Sequence, residues 1–274
     1  MESGAWSTHA VTEAASQVVK RFPGRDGGRA EREWRALRLL SVHAPGLAPE
    51  PREADLTAAG STVVMSRLAG IPMRGYALRD EQVKALAHAV RTLHTAVPVH
   101  TLRQVPARPG QQADLIAHLN TWAATARPKA PHGPVTRAMD RGLHWLARSS
   151  LHADTASNVP PVFGPGDGNL ANYLWNGSSV QVVDFEDSGR SDRAFELAEI
   201  TEHVGSWVEH PLDIPSFLRH FDLTPSESAR LEDCRRLLAL VWLFLLNFDN
   251  QSQNPKNPVG TVERQADRLT SQLP

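Results

Sequence analysis

Hydrophobic residues along the chain keep two different periods, and the change falls near residue 70. In QVVKRF (17–22) and STVVMSRLAG (61–70), valine-rich runs bounded by Gly, Pro and Ser predict strands. The turn PGRDGG (23–28) separates the first run from a helical segment, Arg29 to Leu40, where Leu37 and Leu40 share one face. VHAPGLAPEP (42–51) breaks that helix, so residues 1–70 read as strand, helix, strand. Beyond residue 70 a spacing of three to four takes over. Val83, Leu86, Val90, Leu93 and Val97 line one face of a helix, with Asp80 placed as its N-cap. Two more helices are expected near 110–126 and 134–150, parted by RPKAPHGP. YLW (173–175) and VQVVDF (180–185) flank Asn176-Gly177-Ser178-Ser179, a hairpin signal. Asp192 is placed to cap a helix carrying Leu197, Ile200, Val204 and Trp207, and helices near 225–247 and 260–272 follow. The expected class is α+β: a small strand-containing lobe over 1–70 and a large helical lobe over 71–274, with a cleft between them where ligands commonly sit.

Composition changes this picture little. A chain of 274 residues with net charge -1 carries no electrostatic footprint for nucleic acid or an acidic membrane. Cys234 is the one cysteine, which excludes an internal disulfide and a thiolate metal cluster. MESGAWSTHA lacks a basic segment followed by an apolar one, and LLALVWLFLL (237–246) is too short to span a bilayer. The expectation is a soluble, cytoplasmic protein.

Candidate chemistry concentrates in GPGDGNLANYLW (164–175) and in VVDFED, whose Asp184 follows Asn172 by twelve positions. Asp167 and Asn172 alone suit an ordinary Gly-softened turn equally well. Order separates the two readings. The Asp167–Asn172 loop runs straight into the hairpin and Asp184 ends its second strand, so two antiparallel strands return Asp184 beside that loop. Two carboxylates and a carboxamide are hard oxygen donors suited to Mg²⁺, which shares its shell with phosphates. Asp167 is then available to take a proton from a hydroxyl nucleophile.

This order, D-x-x-x-x-N, hairpin, then D-F-E, resembles the aminoglycoside phosphotransferase and choline kinase-like family, which has the bilobal protein-kinase-like fold. The resemblance is specific over about residues 160–200, including GRSDRAFELA (189–198). It implies an ATP- and Mg²⁺-dependent phosphotransferase acting on a hydroxyl of a small molecule, aminoglycoside-like, choline-like or another metabolite. Asp167 is then the catalytic base, and Asn172 and Asp184 the metal ligands. Lys20, at the centre of QVVKRF, and Glu33, on the face of Leu37 and Leu40, are the pair that orders the nucleotide phosphates. MSRLAG (65–70) takes the place of the hinge beside the adenine.

Two departures mark this chain. Pro165 stands where the family pattern has His, and Pro stiffens the loop by fixing φ. Nineteen residues precede Lys20, so Gly4-Ala5-Trp6-Ser7 is the candidate phosphate-covering turn and the first strand is expected to be missing or vestigial. Both departures keep open an alternative, a nucleotide-binding pseudokinase or regulatory module without transfer activity. Ala48-Pro49-Glu50 precedes Asp184, the wrong order for an activation segment, and seven residues between Asp184 and Asp192 leave no loop to hold a peptide. Glu186, Asp187, Glu196 and Glu199 read either as an acidic acceptor wall or as solvated and capping carboxylates. Glu199 and His203 read as an exposed i,i+4 pair.

Overall fold

Four short antiparallel strands make the first sheet of the computed structural model, which describes residues 10–14, 16–24, 26–57, 60–125, 133–152 and 159–274. They are β1 (Ala10–Glu13), β2 (Gln17–Arg21), β3 (Pro51–Asp55) and β4 (Thr62–Ser66), in the order β1-β2-β4-β3. Lys20 pairs in register with Val11 on one side and Val63 on the other. The period of two then turns Lys20 and Phe22 inward with Val63 and Met65, all four buried. Helix α1 (Arg29–His43) lies against β3 and β4 and buries Ala30, Glu33, Ala36, Leu37 and Leu40.

Two strands depart from the sequence expectation. β1 is present as a four-residue strand paired antiparallel to β2, where a missing or vestigial one was expected. β3 occupies PREAD, at the edge of the segment that reads as a pure breaker. It has no apolar run because it is an edge strand, with a register shift between Pro51 and Glu53 and outward charges, the usual protection of an open sheet edge. The candidate turn Gly4–Ser7 lies outside the described residues.

A two-residue strand, β5 (Ile71–Pro72), joins the two parts of the chain. It pairs with β7 (Tyr173–Trp175), which pairs with β8 (Val180–Val182), so the connector is stitched to the predicted hairpin. A second small pairing joins β6 (Pro161–Gly164) to β9 (Gly189–Asp192), two short glycine-bearing segments.

The rest is helical: α2 (Asp80–Ala96), α3 (Val99–Leu102), α4 (Gln112–Thr125), α5 (Pro134–Arg148), α6 (Arg193–Glu202), α7 (Ile214–Leu218), α8 (Pro225–Gln251) and α9 (Thr261–Gln272). Asp80 is the first helical residue of α2 rather than its cap; Arg79 takes the cap position, its N–H donating to Gln82 Oε1 at 2.9 Å. Asp192 does cap α6, accepting from the Phe195 N–H at 2.9 Å. α8 starts in a Thr224–Glu227 capping box and is buried on most of its circumference from Leu237 to Leu246, packed against α5, α6 and α9. No helix among the described residues is long and apolar enough to cross a membrane. The architecture is a small strand-bearing N-terminal lobe and a helical C-terminal part, the α+β class expected.

Candidate active site

Lys20 is the centre of a buried charge cluster drawn from three distant segments. Its ammonium lies 3.1 Å from Glu33 Oε2, 2.5 Å from Asp184 Oδ1 and 2.7 Å from Glu186 Oε2. The ammonium donates to Glu33 and Asp184, and Glu186 lies within ion-pair distance. Burial alone would lower the Lys20 ammonium, but Glu33, Asp184 and Glu186 outweigh it and hold it above the ordinary lysine value. Burial lifts Glu33 to about 7 against the pull of Lys20, and the Phe185 N–H donates to the same oxygen at 2.9 Å. Lys20 and Glu33 therefore meet as the sequence pattern requires.

Asp184 follows β8 in a strained backbone. Its φ is +69°, and among the described residues it is the one non-glycine in the left-handed region, a conformation costing about 1–3 kcal/mol. Helix α1 secures the segment after it: Arg32 Nε donates to the Glu186 carbonyl at 2.6 Å and Arg32 Nη2 lies 3.5 Å from Asp187 Oδ1. Arg32 carried no periodic signal beyond its place in the helix.

Asp167 and Asn172 form the second group. Asp167 Oδ1 accepts from the Asn169 N–H and Oδ2 from Asn172 Nδ2, both at 2.9 Å. The Val183 N–H donates to the Asn172 carbonyl at 2.9 Å, so Asn172 and the residue before Asp184 are bonded at one end of the β7–β8 hairpin. That brings the two groups together as the strand order requires. Burial lifts the Asp167 carboxyl above its ordinary value, against the lowering effect of the Asn169 N–H and Asn172.

Glycines let this loop pack without a gap. Gly166 has φ +89°, and a Cβ there would sit 2.0 Å from the Asp187 carbonyl oxygen. A Cβ on Gly168 would lie 2.2 Å from the Glu199 carbonyl oxygen in α6, so the backbone of the Asp167 loop lies directly on that helix.

Arg108, absent from the sequence expectations, braces the loop from behind. Its Nη2 donates to the Gly166 carbonyl at 2.7 Å and to Glu199 Oε1 at 3.0 Å, and Nη1 donates to Glu196 Oε1 at 2.9 Å. Burial works against the Arg108 charge, but Glu196 and Glu199 outweigh it and raise the guanidinium above its ordinary value. Glu199 is lifted by burial to about 7, opposed by Arg108. These contacts correct two expectations. Glu186, Asp187, Glu196 and Glu199 are not simply solvated, since each lies within ion-pair distance of Lys20 or an arginine. Glu199 and His203 are not an exposed pair: His203 is buried, and its Nε2 lies 3.5 Å from Asp167 Oδ1.

A lysine–glutamate pair on a strand and helix, an Asp/Asn loop and a hairpin-end aspartate are the groups that kinase-like phosphotransferases bring together. The chain belongs to the phosphotransferase enzyme family, whose model matches residues 4–214. It is thus an enzyme of phosphoryl transfer. Its fold is similar to that of a choline/ethanolamine kinase family protein from Mesorhizobium loti, at 19% identity and TM-score 0.64, over 97% of this chain and 85% of that one. It is also similar to choline kinase LicA from Streptococcus pneumoniae, at 14% identity and TM-score 0.63, over 99% and 91%. Aminoglycoside phosphotransferase APH(3'')-Id from Streptomyces rimosus, solved with ADP and streptomycin, matches at 20% identity and TM-score 0.58, over 86% and 90%. No curated protein sequence matches the chain.

Proposed function

We propose that the protein transfers the γ-phosphate of ATP to a hydroxyl group of a small molecule, with Mg²⁺ required. The supporting observation is the convergence of the Asp167–Asn172 pair and the Lys20–Glu33–Asp184 cluster at one end of the hairpin. In this reading residues 1–70 form the nucleotide-binding lobe and residues 71–274 carry the catalytic loop and acceptor site. Lys20, held by Glu33, presents its ammonium to the nucleotide phosphates. Asp167 orients the acceptor hydroxyl and takes its proton as the new O–P bond forms and ADP leaves.

The donor set fits a small hard cation. Three carboxylates surround the single ammonium of Lys20 with oxygens within 4.8 Å of one another, which leaves negative charge for a divalent ion to offset. Of that group Asp184 would hold it, joined by Asn172, whose carbonyl accepts from the Val183 N–H beside Asp184. Magnesium there would neutralise charge developing on the transferred phosphoryl group.

The acceptor class is a small hydroxyl compound of the aminoglycoside, choline or related metabolite kind. The short span from Asp184 to Asp192, which ends in β9, favours it over a peptide. Incubating the purified protein with γ-labelled ATP and Mg²⁺ across a panel of such acceptors tests the proposal. Label should appear in an acceptor and vanish with chelator. ATP binding with no labelled acceptor would support the nucleotide-binding pseudokinase reading instead.

A further inference from the structure

His203 lies where the chain leaves α6, with one ring nitrogen hydrogen-bonded and the other facing Asp167. Nδ1 accepts a hydrogen bond from the Gly205 N–H at 2.9 Å, so in the neutral ring the proton must sit on Nε2. Nε2 is the atom 3.5 Å from Asp167 Oδ1. The ring cannot turn away, because it stands edge-on to Trp242 with centroids 4.6 Å apart, and it is buried at 8% exposure. The turn that fixes it is tight: a Cβ on Gly205 would meet Asn169 Oδ1 at 2.8 Å and His203 Nδ1 at 3.1 Å.

We infer that His203 is a positioning residue for Asp167, its Nε2–H directed at Oδ1 by the Gly205 backbone. Oδ1 already accepts from the Asn169 N–H, so it is the second lone pair of Oδ1 that is left for the imidazole, which stands 3.5 Å away, short of a formed hydrogen bond. Oδ2 holds the Asn172 amide and keeps one lone pair open. The carboxylate is thereby fixed with one oxygen closed and the other facing an acceptor hydroxyl. The contact shortens as the acceptor docks, as catalytic hydrogen bonds commonly do. This inference rests on Asp167 being the base. Its donor role is separable from simple packing, because Gln carries an N–H near the Nε2 position and Phe fills the ring volume without one.

Two measurements test it. Steady-state transfer by His203→Phe should show kcat reduced about 10- to 100-fold with the KM for MgATP unchanged, the scale of loss expected for a misplaced catalytic group. His203→Gln should recover most of that loss. Nitrogen-15 spectra of the imidazole, assigned by the signal lost in His203→Gln, should show the Nε2–H tautomer, and Asp167→Asn should move that Nε2 resonance. Phe and Gln variants with equal kcat, or a loss expressed in KM alone, would overturn the inference. So would an Nδ1–H tautomer or an Nε2 signal indifferent to Asp167→Asn. Wild-type protein that labels no acceptor would refute the phosphotransfer reading; the spectra would still decide the His203–Asp167 contact, even were His203→Phe unfolded.

Discussion

The Lys20 cluster and the Arg108 cluster are built alike and used differently. Each gathers carboxylates around one buried cation, with Glu33, Asp184 and Glu186 about the first and Glu196 and Glu199 about the second. The difference is closure. Asp184 keeps 38% of its side chain exposed, whereas Arg108 and Glu196 keep 4% and 2%. Arg108 also spends a donor on the Gly166 carbonyl, so its cluster grips backbone. The open cluster leaves Asp184 to solvent, where a ligand or ion of the proposed reaction could reach it; the closed one grips the backbone of the Asp167 loop.

The sharpest way to break this contrast is at the two aspartates. Asp167→Asn keeps shape and loses proton acceptance, so turnover should fall about 10²- to 10⁴-fold, roughly 3–5 kcal/mol of barrier, with MgATP affinity nearly unchanged. Asp184→Asn removes charge from the open cluster and should weaken both Mg²⁺-dependent ATP binding and turnover. Calorimetry and single-turnover transfer on both variants decide. Loss of ATP binding in Asp167→Asn with a silent Asp184→Asn would reverse the two assignments.

Arg108 tests the closed cluster. Arg108→Met leaves Glu196 and Glu199 buried without a counter-ion, and breaking such a pair costs about 3–5 kcal/mol. Urea unfolding should register that loss, and adding Glu196→Gln and Glu199→Gln to the same chain should recover a large part of it. A triple variant no more stable than Arg108→Met would mean that the Gly166 bond, and not charge balance, is what Arg108 contributes.

Legibility from sequence follows the same division. Asp167, Asn172 and Asp184 could be read because they lie in order within eighteen positions around a hairpin with its own turn chemistry. Lys20 and Glu33, each ambiguous with a solvated charge taken alone, could be read only through the resemblance that the Asp167–Asp184 segment carries. Arg108 reaches Gly166 across 58 positions and Glu199 across 91, from a segment with no period of its own. His203 looked like a surface residue because i,i+4 spacing from Glu199 says which face of α6 it shares but not what covers that face. β1 and β3 escaped for a related reason: they are short edge strands with few apolar side chains.

The open cluster has its own stability test. Lys20→Met leaves Glu33, Asp184 and Glu186 to repel one another, but Asp184 is partly hydrated, so the cost should be about 1–2 kcal/mol, below that of a fully buried pair. Millimolar Mg²⁺ should raise the thermal midpoint of this variant more than that of wild type. An equal shift in both would separate the ion from these carboxylates.

The smallest effect concerns acid. Burial, with Arg74 adding to it, holds the His203 imidazole down at about 3. A histidine depressed in the folded state is protonated first in the unfolded chain, whose value is near 6.5. Its contribution is therefore fully present above that value and is lost as pH falls from there toward 3. His203→Phe cannot take the proton. Between pH 7.5 and 5.5 the stability of wild type relative to His203→Phe should thus fall by about 1.4 kcal/mol, whatever the variant costs at neutral pH. Chemical denaturation of both proteins at the two pH values measures it. A difference that stays constant would mean that the imidazole titrates alike in the folded and unfolded chains, and one that moves in wild type's favour on acidification would mean that the fold holds the proton beside Asp167 rather than excluding it. In the second case a charge pair with Asp167 would join the Arg108 cluster in holding the loop, and the neutral-donor role of His203 would fail.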